Sequence, residues 1–135
     1  PPRPRTTSRM PQETNFTSSP DPRRATLAAA VALLPSPGSD ALRSAAVFQH
    51  GSLLLKLYAP TGTDRQTPHT RDELYLVLSG TGTFVNGDAR HPFGPGDALF
   101  VPAGAEHRFE DFSDDFRTWV VFYGAEGGET AGATA

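Results

Sequence analysis

The chain contains four histidines and no cysteine, so any metal it holds must be bound by imidazole, carboxylate or amide donors. His69 and Glu73 flank a loop-to-strand junction, just ahead of the apolar run Leu74-Tyr75-Leu76-Val77-Leu78, and His107 opens a separate strand-like segment. Closure of a barrel could bring the three together as two imidazoles and one carboxylate. That donor set suits non-haem Fe(II) and leaves coordination positions for substrate or dioxygen; Mn, Ni, Co or Zn could take the same place. Near neutral pH an ordinary glutamate is ionised and an ordinary histidine largely neutral, the states that ligation needs. A histidine taken singly is more often a hydrogen-bonded structural group, so the reading requires convergence. His50 and His91 read as structural or surface groups.

Other residues near these three could serve the same chemistry. Gln66 could hydrogen-bond a metal-bound water or act as a weak ligand, or could equally be a solvated loop amide beside Asp64 and Arg65. Tyr75 and Val77 share strand parity with Glu73 and are candidate pocket walls, as is Phe109 by parity with His107. Tyr75 and Gln66 are the nearest candidates for a catalytic acid or base. Lys56 and Tyr58 share one face of an earlier strand and could meet an anionic group of a substrate, although a charge at a barrel edge more often points to solvent. Arg71 and Arg108 read as surface charges. The cluster Glu110, Asp111, Asp114 and Asp115 reads as a solvated loop, because no histidine accompanies it.

These residues must be positioned by one domain, since 135 residues leave no room for a second catalytic one. Thirteen glycines and thirteen prolines argue for short strands and many turns rather than a helical bundle. The strand signals are Arg43 to Gln49, Leu53 to Ala59, Leu74 to Leu78, Thr81 to Asn86, Ala98 to Val101, Glu106 to Phe112 and Arg117 to Tyr123. Ser79-Gly80 and Asn86-Gly87 are the best hairpin signals. The expected class is all-β, a barrel or jelly roll, with a short helix between Arg23 and Leu34 stopped by Pro35 and Pro37-Gly38. Residues 1–24 are expected to form a flexible tail, 25–123 the barrel, and 124–135 a second loose tail.

Two segments carry a resemblance. The stretch Gly96-Asp97-Ala98-Leu99-Phe100-Val101-Pro102-Ala103-Gly104-Ala105-Glu106-His107 is similar to the pattern G-x5-P-x-G-x-x-H-x3-N of the cupin superfamily, with Asp111 where Asn is usual. The stretch from Pro68 to Gly80 resembles the companion pattern H-x-H-x3-4-E-x6-G, with His69, Glu73 and Gly80 in place and Thr67 in the slot of the first histidine. The likeness spans Leu53 to Tyr123. It implies a cupin-type double-stranded β-helix with a divalent metal on His69, Glu73 and His107, three ligands where the family pattern has four.

The function expected from this reading is a metal-dependent enzyme acting on a small organic molecule, first of all a non-haem Fe(II) dioxygenase-like oxidoreductase. A metal-dependent lyase or isomerase is the near alternative, and a non-catalytic small-ligand-binding cupin the distant one. The net charge of -3 and the lack of a basic patch interleaved with aromatics argue against nucleic acid and anionic membranes as partners. The apolar run from Ala25 lies behind too polar a leader for a secretory signal, so a soluble, cytoplasmic protein is expected. Strands apolar on both faces need cover, from a second sheet or from a partner in a homodimer.

Overall fold

The computed structural model describes residues 23–130. The N-terminal tail expected over residues 1–24 lies almost wholly outside them. Among these residues eight strands follow one short helix: α1 (Leu27–Ala32), β1 (Ser44–His50), β2 (Leu53–Tyr58), β3 (Asp72–Ser79), β4 (Gly82–Asn86), β5 (Ala89–Phe93), β6 (Ala98–Val101), β7 (His107–Glu110) and β8 (Arg117–Tyr123). They form a five-stranded sheet in the order β1-β2-β8-β3-β6 and a three-stranded sheet in the order β5-β4-β7. Every pairing is antiparallel. From β3 onward the chain passes back and forth between the two sheets, which is the jelly-roll architecture the turn-rich composition predicts.

Alternation along each strand sorts side chains to the two faces. On β3, Glu73, Tyr75 and Val77 are buried while Leu76 is exposed. The inner faces enclose an aromatic core of Tyr75, Phe84, Phe93, Phe109 and Phe116. Their rings meet at centroid distances of 4.6 to 5.6 Å, mostly tilted or edge-on, geometries that favour the aromatic quadrupole. A second cluster lies on the outer face of the larger sheet, where α1 packs Ala30 onto Val47 and Leu57, with Trp119 and Leu78 beside them. Thr26 caps the helix through its hydroxyl, which accepts from the Ala29 N–H at 3.2 Å. The helix thus supplies part of the cover that the two-sided strands need. It does not reach Leu76 and Phe100, which are 39% and 49% exposed.

Two expectations are corrected, and one strand is unforeseen. Ser79-Gly80 is not a hairpin turn: β3 and β4 belong to different sheets, and the chain crosses between them there. Gly80 has φ +90°, and a Cβ on it would stand 2.5 Å from the Phe116 Cα, so the crossing needs glycine on both counts. Strand β5 is not legible in the sequence because Arg90, His91 and Pro92 are exposed polar or ring-locked residues; Pro92 is tolerated on an edge strand that pairs only with β4. The loose C-terminal tail does not begin at Gly124. The Gly127 N–H donates to the Thr70 carbonyl at 2.6 Å and the Glu129 N–H to Asp72 Oδ2 at 2.8 Å, which ties this segment to the start of β3. The Asn86-Gly87 hairpin forms as expected between β4 and β5. Asp111, in the asparagine position of the second motif, is the non-glycine residue with positive φ among the described residues, at 53°, a conformation that Asn and Asp tolerate best.

Candidate metal centre

His69, Glu73 and His107 come from three separate parts of this architecture. Glu73 faces inward near the start of β3, in the larger sheet. His107 opens β7, in the smaller sheet, opposite Asn86. His69 stands in the loop that leads into β3. The turn over residues 102–105 links them. Its Gly104 N–H donates to the His69 carbonyl at 2.7 Å, and its Ala103 N–H donates to Asp72 Oδ1 at 2.9 Å. The Ala105 carbonyl faces His107 Nδ1 at 2.9 Å. A proton on Nδ1, donated to that carbonyl, leaves the Nε2 lone pair turned into the site.

The three side chains converge. His69 Nε2 lies 3.8 Å from Glu73 Oε2, and His107 Nε2 lies 3.1 Å from Glu73 Oε1. One donor atom from each falls within 4.8 Å of the others. Glu73 is 1% exposed, and both its carboxylate oxygens are buried without an aligned hydrogen-bond donor. A carboxylate so placed carries a desolvation cost of several kcal/mol unless a cation compensates it. Two imidazole nitrogens and a buried carboxylate without an aligned donor around one point therefore fit a divalent metal ion.

The electrostatics of the two histidines differ. Burial lowers the pKa of His69 by more than the Glu73 carboxylate raises it, so its ring is neutral at neutral pH. Burial also pulls on His107, but its contacts with Glu73 and the Ala105 carbonyl outweigh burial and raise its pKa. Tyr75 is held well above its ordinary value, by burial first and then by the negative charge of Glu73. Its phenol stays protonated and acts as a donor rather than a base.

Tyr75 and Gln66, the expected acid–base candidates, both reach the centre. The Tyr75 hydroxyl donates to Gln66 Oε1 at 2.9 Å, and its oxygen lies 3.1 Å from His107 Nε2. Gln66 Oε1 also lies 3.4 Å from His69 Nε2. An amide has no titratable proton in this range, so Gln66 orients its neighbours. Thr67, in the position of the first family histidine, is exposed.

Sequence reasoning misses Asp64, which it treats only as a neighbour of Gln66 in a solvated loop. It is 6% exposed and accepts from four donors: the Tyr58 hydroxyl, the Gln66 N–H at 3.2 Å, Gln66 Nε2 at 2.8 Å and the Phe109 N–H at 2.8 Å. By taking the Gln66 NH2 group it turns Oε1 toward the histidines. The local contact, an aspartate accepting from the N–H two residues on, is a loop signature visible in sequence. The bond to Phe109, 45 residues away, is not.

The remaining candidates sort clearly. Val77 and Phe109 belong to the buried core. Tyr58 is committed to Asp64, whose charge, after burial, raises its pKa. Arg71 donates to the Ser52 carbonyl and lies over the Phe122 ring at 5.9 Å. Arg108 and Arg90 pair with Glu110 at the surface. His50 and His91 are exposed and away from the centre. Lys56 lines the cleft that opens beside His69 and Glu73.

Residues 54–122, a little over half of the chain, match the family model described as a cupin domain. The chain belongs to the cupin family. This cupin is 42% identical over 60 residues to an uncharacterized protein of Streptomyces coelicolor, an alignment covering 44% of this chain and only 57% of the relative's length. Among solved structures it resembles TT1209 of Thermus thermophilus, with a TM-score of 0.55 and 27% identity over 67% of this chain and 90% of the other. It also resembles a cupin superfamily protein of Desulfitobacterium hafniense, with a TM-score of 0.56 and 21% identity over 78% and 94% of the two chains. The last of these speaks for the fold alone. No described helix is long and apolar enough to cross a membrane.

Proposed function

We propose that this cupin is a metal-dependent enzyme acting on a small organic molecule, with Fe(II) dioxygenase-like chemistry as its leading form. The observation that carries the reading is the buried Glu73 carboxylate, both oxygens without an aligned donor, between the Nε2 atoms of His69 and His107. Two imidazoles and one carboxylate are the donor set of non-haem Fe(II) oxygenases, and a ferrous ion held there would supply the redox chemistry that couples dioxygen to an organic substrate.

The chain's own residues have definable roles. His69, Glu73 and His107 hold the ion. Asp64 fixes the Gln66 amide, and Gln66 and the protonated Tyr75 hold hydrogen-bond positions beside it. Val120, Phe122 and Leu42 give the adjacent cleft an apolar wall that limits water at the centre. The enclosed space of this cleft is about 20 Å³, room for about one water, so a small substrate would meet the ion at the cleft's open mouth.

Elemental analysis of protein purified without added metal, followed by an oxygen-consumption screen, tests the proposal. The expected result is one iron per chain and substrate-dependent oxygen uptake, both lost in His107→Ala while the far-ultraviolet spectrum stays that of a β-barrel. Stoichiometric zinc or nickel without oxygen uptake would replace oxidation by lyase or isomerase chemistry. Failure to bind any divalent metal would end the enzyme reading and leave a non-catalytic ligand-binding barrel.

A further inference from the structure

Among the side chains that line the cleft beside the centre, one lysine stands out. Lys56 sits on β2 opposite Ala46 of β1 and Val120 of β8, and it lines the cleft with His69, Glu73 and Phe122. Directly opposed residues of an antiparallel pair share a face, so Lys56 lies on the same side as Tyr58 and Ser44, which also line the cleft. No hydrogen bond or ion pair engages its ammonium among the described residues. Its positive charge nevertheless acts on the centre, where it is one of the influences that lower the His69 pKa.

A lysine is normally kept out of a cleft with apolar walls unless its head reaches water or an anion. Glu73 is the other charged residue of this lining, and its carboxylate is directed at the two histidines rather than at Lys56. We infer that Lys56 recognises the carboxylate of a small organic acid, the substrate class of this site, with the Ser44 hydroxyl beside it. This rests on the metal-enzyme reading and deepens it. With a divalent ion compensating Glu73, the cleft would carry an excess of positive charge, which favours an anion and disfavours its neutral analogue. A single ammonium without the backbone N–H cradle or Arg fork typical of phosphate sites suits a monovalent carboxylate.

Propionate and its neutral counterpart propionamide test this on the full chain. In the 15N-labelled, Co(II)-loaded protein, propionate should shift the amide resonances of Lys56, His69 and Phe122 saturably, with a Kd about tenfold lower than that of propionamide, and the metal-free protein, where Glu73 offsets Lys56, should show a smaller preference. Lys56→Met should abolish the preference, Lys56→Arg should keep it to within about threefold, and added salt should weaken it. An equal response to both probes in the wild type, or a preference surviving in Lys56→Met, would overturn the inference. Co(II) uptake, followed in parallel by its visible absorption, should be the same in all three proteins. Uptake without anion preference would leave the metal centre and remove the role of Lys56. Anion preference without uptake would do the opposite, leaving an anion site in a barrel that is no metalloenzyme.

Discussion

At the residue scale the centre is defined by what Glu73 lacks. A buried carboxylate normally collects hydrogen-bond donors; here the nearest group is His107 Nε2, 3.1 Å from Oε1, and the other donors are directed elsewhere. Tyr75 donates to Gln66, and His107 Nδ1 is matched to a backbone carbonyl. Gln66 is the pivot of this arrangement, and Gln66→Leu should weaken metal binding by roughly 10-fold or more, as loss of a supporting polar contact does at metal sites; competition with a chromophoric chelator measures it. The same assay as a function of pH reports the histidines. The raised pKa of His107 means that the metal-free chain keeps this proton to higher pH than an ordinary histidine does. Because the ion must displace that proton, affinity should fall as pH drops, with the loss beginning above pH 6.5, the ordinary histidine value. His69, whose pKa burial lowers, should add to the loss only below that value. His69 and Glu73 were legible as a pair from their spacing, whereas Asp64 was not, because its role depends on a backbone donor from another sheet.

At the element scale the two motifs do separate jobs that meet in one turn. The second motif supplies a strand end, a turn and a histidine, and Gly104 in that turn holds the His69 backbone of the first. The first motif ends at Gly80, where the chain leaves one sheet for the other under the Phe116 backbone. Gly80→Ala combines a positive φ with a backbone clash and should destabilise the fold by about 2–4 kcal/mol in denaturant unfolding, more than a surface substitution costs. Most strands were visible because apolar residues alternate with turn residues at close intervals. Strand β5 was not, because its residues carry no period-2 apolar signal and its pairing with β4 supplies the order.

At the scale of the whole molecule a metal held at the centre bridges the two sheets: Glu73 belongs to one and His107 to the other. A ligand of the native state alone stabilises it by mass action, so free metal at a hundredfold excess over Kd should add about 2.7 kcal/mol. That corresponds to a rise in Tm of roughly 10 °C, read by thermal melts with and without chelator. The exposed Leu76 and Phe100 lie on the outer face of the larger sheet, beyond the reach of α1. We propose that the homodimer expected from the two-sided strands forms through this strip. Analytical ultracentrifugation should then show a concentration-dependent dimer that Phe100→Asp converts to monomer; a wild-type monomer at all concentrations would remove the proposal.

The sequence by itself determined the strand-rich class, the cupin motifs and the donor types, because alternation, turn chemistry and the absence of cysteine are properties of short stretches and of composition. Only the tertiary structure decided that His69, Glu73 and His107 share one point, that Asp64 is anchored where it can aim Gln66, and that Lys56 lines the same cleft. These depend on sheet pairing and crossing: Tyr75 meets His107 across 32 positions of chain, and Asp64 meets the Phe109 backbone across 45. Local patterns fix which residues face inward, but the distance between two inward-facing groups on different strands is set by register and closure, which no local pattern contains.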